Sequence, residues 1–247
     1  MRSRPAAVTA RGRPIWAGTA ICRAADEIVA KGTRIAADAL EAAEADIRFA
    51  DGRFVVAGTD RSVALLDVAA LARDKGTPLD TYHAWTREWM TFPNGAHVAE
   101  VEIDRDTGEV TLARYTAVDD YGVLVNPMIA AGQAHGAIAQ GIGQAMLEEA
   151  AYDPQSGQLV AGSLMDYALP RADDLPSFAL GFNGTRCTTN PLGVKGCGEA
   201  GAIAAYPAIG NAIIDALAPL GVTDFDPPAT PFHIWQAMRR SAAGRSY

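Results

Sequence analysis

The chain has 247 residues, 49 % of them hydrophobic and 20 % charged, which is the composition of a globular protein with room for one sizeable domain or two small ones. Its formal net charge of −8 works against nucleic acid and anionic membrane surfaces as partners. Three cysteines (Cys22, Cys187, Cys197) form no CxxC pair and no metal-ligand spacing with the four histidines; this argues against a zinc site or iron–sulfur cluster within the chain and fits a reducing, cytoplasmic compartment.

Residues 1–14 are rich in Arg and Pro, without periodicity and without the apolar core of a secretory signal. No run further on is expected to reach membrane-spanning length. Ile21, Cys22, Ala25, Ile28 and Val29 recur at helical spacing and predict a helix over 16–31, stopped by Gly32. A second helix, about 33–43, would carry Ile35, Ala36, Ala39 and Leu40 on one face. Ile47 and Phe49, the Asp51-Gly52 turn, then Phe54 and Val56 predict a β-hairpin. Asp67 is placed as the cap of a short helix that Lys75-Gly76 ends. From 81 to 118 the pattern is that of strands. Val98, Glu100, Glu102 and Asp104 alternate with Ala99, Val101 and Ile103, giving one wet and one buried face. Asp106-Thr107-Gly108 turns the chain, and Val110, Leu112 and Tyr115 return antiparallel. His83 and His97 have no partner at ligand spacing and read as surface or packing residues.

Asn126-Pro127 opens a helix that runs to about 147. Gln133, Gly136, Ala137, Gln140 and Gln144 share one face of it. Gly132, Gly136, Gly141 and Gly143 each weaken a helix by up to about 1 kcal/mol relative to alanine, so their number needs a reason. Two stay open: amides set among small residues to bond a planar heterocycle, or a close crossing with another helix. Glu148-Glu149 reads as a solvated helix end, and 153–157 as a turn.

The stretch 190–217 sets one carboxylate, Glu199, among Gly193, Gly196, Gly198 and Gly201, directly before an alanine-rich run. A helix starting near 200 would aim its unpaired N–H groups at whatever lies beside Glu199. The acid either caps that helix or is held beside a ligand to move a proton. Gly196-Cys197-Gly198-Glu199-Ala200-Gly201 also matches the G-x-G-x-x-G string of dinucleotide-binding folds. No strand run precedes it, however, and its carboxylate would repel a pyrophosphate, so that reading fails. Pro207 predicts a kink or break. After a Pro-rich loop over 224–231, Thr230 is placed as the cap of a last helix with Ile234, Trp235 and Met238.

Three stretches together resemble one family. GVKGCGEAG at 193–201, followed by a small-residue helix, resembles the end of the molybdenum subunit of the xanthine dehydrogenase/aldehyde oxidase family, in the form found in carbon monoxide dehydrogenase-like large subunits. AHVAEVEIDRDTGEV at 96–110 and N-P-x-x-x-x-G-Q-x-x-G-x-x-x-Q-G-x-G from Asn126 to Gly143 occur in that family's order. Ser3-Arg4 resembles a Ser-Arg pair that stands near the pterin before a long helix. The resemblance implies an α+β fold, an antiparallel or mixed sheet with long packed helices, of the C-terminal molybdopterin-binding domain type. It would fill 1–247 as one portion, or as two subdomains of about 1–80 and 81–247.

The same resemblance implies a molybdenum-dependent oxidoreductase, working within a larger complex, that hydroxylates an aldehyde, an N-heterocycle or a similar small substrate. The cofactor would be molybdenum–molybdopterin, its cytosine dinucleotide form included. Glu199 matches the family's active-site base and Gln133 the glutamine that contacts molybdopterin. Gln140 matches the second Gln-Gly pair; Ser3, Lys195, Gly196, Cys197 and Gly198 complete the implied cofactor-binding set, with no protein ligand to the metal. The implied partners are the missing N-terminal half of the subunit, an iron–sulfur subunit and an FAD subunit. Because the family's molybdenum chains are much longer, a second reading stands: a non-catalytic or truncated assembly domain that binds no cofactor alone.

Overall fold

The computed structural model describes residues 13–86 and 89–244; Ser3 and Arg4 lie outside them. Two units make up the chain, Met1–Trp89 with Asn190–Leu192, and Met90–Thr189 with Gly193–Tyr247.

The first unit opens with a single helix, α1 (Arg13–Ala39), 27 residues long, where two are predicted. Gly32 does not end it. A Cβ at this position would run into the Phe54 ring, and Phe54 is fully buried. Glycine in a helix costs about 1 kcal/mol, whereas burying a Phe side chain returns about 1.5–3 kcal/mol, so the packing wins. Strands β1 (Ile47–Ala50), β2 (Arg53–Val56) and β3 (Ser62–Ala64) form an antiparallel sheet in that order. Phe49 pairs with Phe54 across the predicted hairpin, whose turn residues Asp51 (φ 50°) and Gly52 (φ 74°) both take the left-handed conformation that a two-residue turn demands. Helix α2 (Leu65–Asp74) is capped by Ala64 without a side-chain bond. Asp67 instead lies in its first turn, where its charge favours the helix dipole. Ala36, Phe54, Val68 and Ala72 centre the core of this unit.

In the second unit β4 (Asn94–Ile103) and β5 (Val110–Asp120) pair antiparallel, and β6 (Phe178–Phe182) pairs parallel to β5. Strand structure begins at Asn94 rather than near 81; Pro93 cannot donate to a ladder. Ala99, Val101 and Ile103 pack on the core while Val98 is exposed, as the alternation predicts. Helix α3 (Pro127–Met146) is capped by Asn126, whose Oδ1 accepts from Ile129 N at 3.1 Å. Glu148 is not a solvated end: it accepts the Tyr167 hydroxyl at 2.6 Å. Helix α4 (Ala200–Leu217) runs unbroken through Pro207. Pro207 lies on the exposed side, where water can take up the carbonyl it leaves unbonded. Helix α5 (Pro231–Gly244) starts at Thr230, whose Oγ1 accepts from His233 N at 3.3 Å.

Tyr115, Ile138, Ile142, Ile209, Ile213 and Ile234 fill the core between sheet and helices. Helices α3 and α4 cross closely. A Cβ on Gly201 would lie 2.9 Å from Ala137 Cβ and 3.0 Å from Ala134 O, and one on Gly141 2.7 Å from Ala205 Cβ. The segment Ala200–Leu220, at a mean hydropathy of 1.4, is long and apolar enough to cross a membrane by length and composition alone, contrary to expectation. Its Ala205, Ile209, Ile213 and Leu217 are nevertheless core residues of this unit. The architecture is α+β, with an antiparallel sheet, a mixed sheet and long packed helices.

Candidate functional site

The end of β5 is stitched to the glycine-rich loop by backbone. Lys195 N donates to Tyr121 O at 2.9 Å and Val123 N to Gly193 O at 2.9 Å, with a bridge between Gly122 and Val194. Asp120 adds a side-chain anchor. Its Oδ1 accepts from Gly122 N (2.8 Å) and Thr185 N (3.0 Å), and its Oδ2 holds Lys195 Nζ at 2.7 Å. Both side chains of this ion pair are only 10 % exposed. Burial works to raise the Asp120 carboxyl, but Lys195 and the two backbone amides outweigh it and bring it down to about 2. Lys195 is thus placed on Asp120.

The neighbouring carboxylate serves a separate network. His97 Nε2 bonds Asp119 Oδ1 at 3.0 Å, His97 Nδ1 bonds the Tyr115 hydroxyl at 2.7 Å, and the Tyr121 hydroxyl donates to Asp119 Oδ2 at 2.7 Å. The side chains of His97 and Asp119 are 2 % and 3 % exposed, so His97 is a buried, fully engaged residue. The register explains the meeting. His97 stands opposite Ala117, which makes Tyr115 and Asp119 its diagonal neighbours on the same face. Burial works to raise Asp119, yet the bonds from His97 and Tyr121 hold it below its ordinary range. Burial, and then the Asp119 charge, push the Tyr115 and Tyr121 phenols up. No sequence spacing could reveal this set without the strand register.

Glu199 is the residue that caps α4 by its backbone: its carbonyl accepts from Ile203 N at 3.1 Å, while its side chain makes no capping hydrogen bond. Cys197 turns inward, packing with Ala200 against the small cluster of Tyr121, Ala130 and Ala134, and burial pushes its thiol up. Gly198 faces α3, where a Cβ would come within 3.4 Å of Gln133 Oε1. Gln133 and Gln140 are both exposed, two turns apart or roughly 10 Å along the helix. Gly132 and Gly136 beside them have open space over their Cα atoms, as does Gly196. The structure thus brings Gln133, Gly198 and the Glu199 backbone together, aligns Gln140 on the same helix, and directs Lys195 and Cys197 elsewhere. Among the described residues no group of three or more His, Cys, Asp or Glu could hold a metal ion.

The family model described as molybdopterin cofactor-binding domain matches residues 12–176, and the chain belongs to that family. The matched span contains Gln133 and Gln140 and ends before the glycine-rich loop. Similarity to individual proteins extends further. The carbon monoxide dehydrogenase large chain of Hydrogenophaga pseudoflava is 36 % identical over 235 residues, covering 93 % of this chain and 29 % of the relative. The nicotine 6-hydroxylase large subunit of Paenarthrobacter nicotinovorans is 38 % identical over 234 residues, covering 91 % and 29 %. Among solved structures, quinoline 2-oxidoreductase from Pseudomonas putida 86 superposes with a TM-score of 0.83 at 37 % identity, over 94 % of this chain and 30 % of that one. A Cu,Mo-CO dehydrogenase in its carbon monoxide-reduced state gives 0.85 at 32 % identity, over 94 % and 30 %. The chain therefore spans less than a third of the length of the relatives it matches.

Proposed function

We propose that this chain is the part of a molybdenum hydroxylase that holds the molybdopterin cofactor and supplies the base for oxidising a small substrate, an aldehyde or N-heterocycle. The observation that carries it is the placement of Glu199. This residue stands at the N-terminus of α4, next to a glycine set against the amide of Gln133.

The residues present fit such a cofactor. Gln133 and Gln140 offer both donors and acceptors to a flat heterocycle, from a helix face that Gly132 and Gly136 leave uncovered. Gly196 and Gly198 let a ligand approach the opposing loop backbone, and the start of α4 favours an anionic group beside it. When bound, the cofactor supplies the two-electron oxidation that no side chain here can perform. Glu199 takes up, on its carboxylate, the proton that hydroxylation of the substrate carbon releases. Gln133, Gln140 and the Gly196–Gly198 backbone orient the cofactor against it. Ser3 belongs to the same proposed set. The cytosine dinucleotide form of the cofactor, the remainder of the large subunit, and iron–sulfur and FAD subunits that carry electrons away complete the proposal.

The test is the Glu199→Gln variant in the complex purified from the native host, screened on aldehydes and N-heterocycles with a dye as electron acceptor. Turnover is expected to vanish while molybdenum content stays nearly unchanged. Activity within a few fold of the unaltered complex would remove Glu199 from the mechanism. A purified chain that joins no larger partner and carries no molybdenum would favour the assembly-domain reading.

A further inference from the structure

The loop that carries Glu199 is built from residues that hold little shape by themselves. Between the last backbone bond to β5, at Lys195, and the start of α4 at Ala200 lie only Gly196, Cys197, Gly198 and Glu199. Two of these four are glycine, with the widest backbone freedom of any residue. Cys197 is fixed by apolar packing. On the β5 side of Glu199 a polar fixing point is Lys195, four residues before it, a separation that spans at most about 14 Å of chain. One carboxylate, Asp120, receives Lys195 Nζ together with the amides of Gly122 and Thr185, and so ties two distant segments to the end of β5. A buried ion pair adds little stability over an apolar pair of the same size. A pair kept at 10 % exposure is better explained by the geometry it imposes.

We infer that Asp120 and Lys195 are positioning residues for Glu199: their ion pair sets where the glycine-rich loop leaves β5, and hence where the Glu199 carboxylate stands. The inference rests on the proposed role of Glu199. Neither residue touches the reacting atoms in this assignment; Lys195 acts through the loop rather than on the cofactor.

The test compares Asp120→Asn, Lys195→Met and the double variant in the assembled complex, with two readouts. The first is hydrogen–deuterium exchange of the amides over 193–199, which needs no catalysis. The second is kcat and KM on the substrate used for Glu199→Gln. Asn at 120 keeps an oxygen for the two backbone amides but turns a donor or a neutral group toward the ammonium. Met at 195 removes the charge and keeps the length. Each single variant is expected to speed exchange over 193–199 at least tenfold, with the rest of the chain unchanged. Each should also lower kcat by 10- to 100-fold while KM stays within threefold, as displacement of a catalytic group by about 1 Å does. The double variant should be no worse than either single one, because both remove the same pair. Exchange within twofold of the unaltered protein would overturn the inference, and so would fast exchange with an undiminished kcat. If Asp120→Asn fails to assemble, Lys195→Met decides alone, since it leaves both amide bonds to Asp120 in place. If Glu199→Gln proves active, the role of Glu199 falls, and exchange still decides whether the pair anchors the loop.

Discussion

The crossing of α3 and α4 brings Gln133 to the Glu199 loop, and replacing Gly201 by alanine tests how tight it is. The added methyl would lie 2.9 Å from Ala137 Cβ and 3.0 Å from both Ala134 O and Ile138 N. Comfortable contact needs roughly 3.5–4 Å, and two of these neighbours are backbone atoms that cannot swing aside, so the helices must separate by about 0.5–1 Å. Overpacking of this kind costs about 1–3 kcal/mol. Alanine also returns up to about 1 kcal/mol of helix propensity, which leaves a net loss of up to about 2 kcal/mol. Gly210 lies in the same helix with nothing within 4 Å of its Cβ position, so Gly210→Ala should gain the propensity term alone. Urea denaturation should lower the midpoint for Gly201→Ala and raise it for Gly210→Ala, with unchanged slope. Equal stability of the two variants would refute the close crossing. Because α4 begins one residue after Glu199, Gly201→Ala should also slow turnover in the complex.

Gly32→Ala should destabilise the first unit by about 1–3 kcal/mol through its clash with Phe54, and Phe54→Leu in the same chain should recover part of the loss; a Gly32→Ala protein as stable as the parent would show that the ring yields freely. Asp120 titrates near 4 when unfolded and near 2 when folded, so its contribution to stability is fully present above pH 4 and drains away as pH falls through about 2; acid unfolding followed by circular dichroism should be less steep over that window in Asp120→Asn. Gly136→Ala has open space to fill and should stabilise the isolated chain by up to about 1 kcal/mol while lowering molybdenum retention in the complex; unaltered retention would mean that this face does not meet the cofactor.

What could be read in advance follows the range of the interaction concerned. The 47–56 hairpin, the β4–β5 turn, the helix start at Asn126-Pro127 and the Thr230 cap depend on neighbours within a few residues, and all are legible. Gly32 was misread because its reason, the ring of Phe54, lies twenty-two residues away and leaves no periodic trace. The short strand β6 was missed for a related cause: its partner is parallel and reached across all of α3. His97 read as an ordinary packing residue because its partners lie eighteen and twenty-two residues on, at a distance set by the hairpin register. Lys195 and Asp120 are seventy-five residues apart, and only the folded chain shows that they share a bond. In the candidate site, Gln133 and Glu199 are singled out by motif resemblance, whereas the carboxylates of β5, which bond Lys195 and His97, carry no motif at all.

The glycines of α3 show why residue type alone could not settle the site. Gly141 is needed because Ala205 stands against it, and Gly143 because Pro170 does; both belong to packing. Gly132 and Gly136, in the same helix, meet nothing. They weaken the helix by the same amount and obtain no contact in return. The helix gives up about 2 kcal/mol of propensity at these two exposed positions, and the proposed function gives a reason for it, a cofactor lying over them. The amides of Gln133 and Gln140 frame that uncovered strip, and Gly198 closes one end of it. Of the two explanations offered for one glycine-rich helix, the crossing with α4 is met at Gly141; the open space over Gly132 and Gly136 is where the proposed function puts the cofactor.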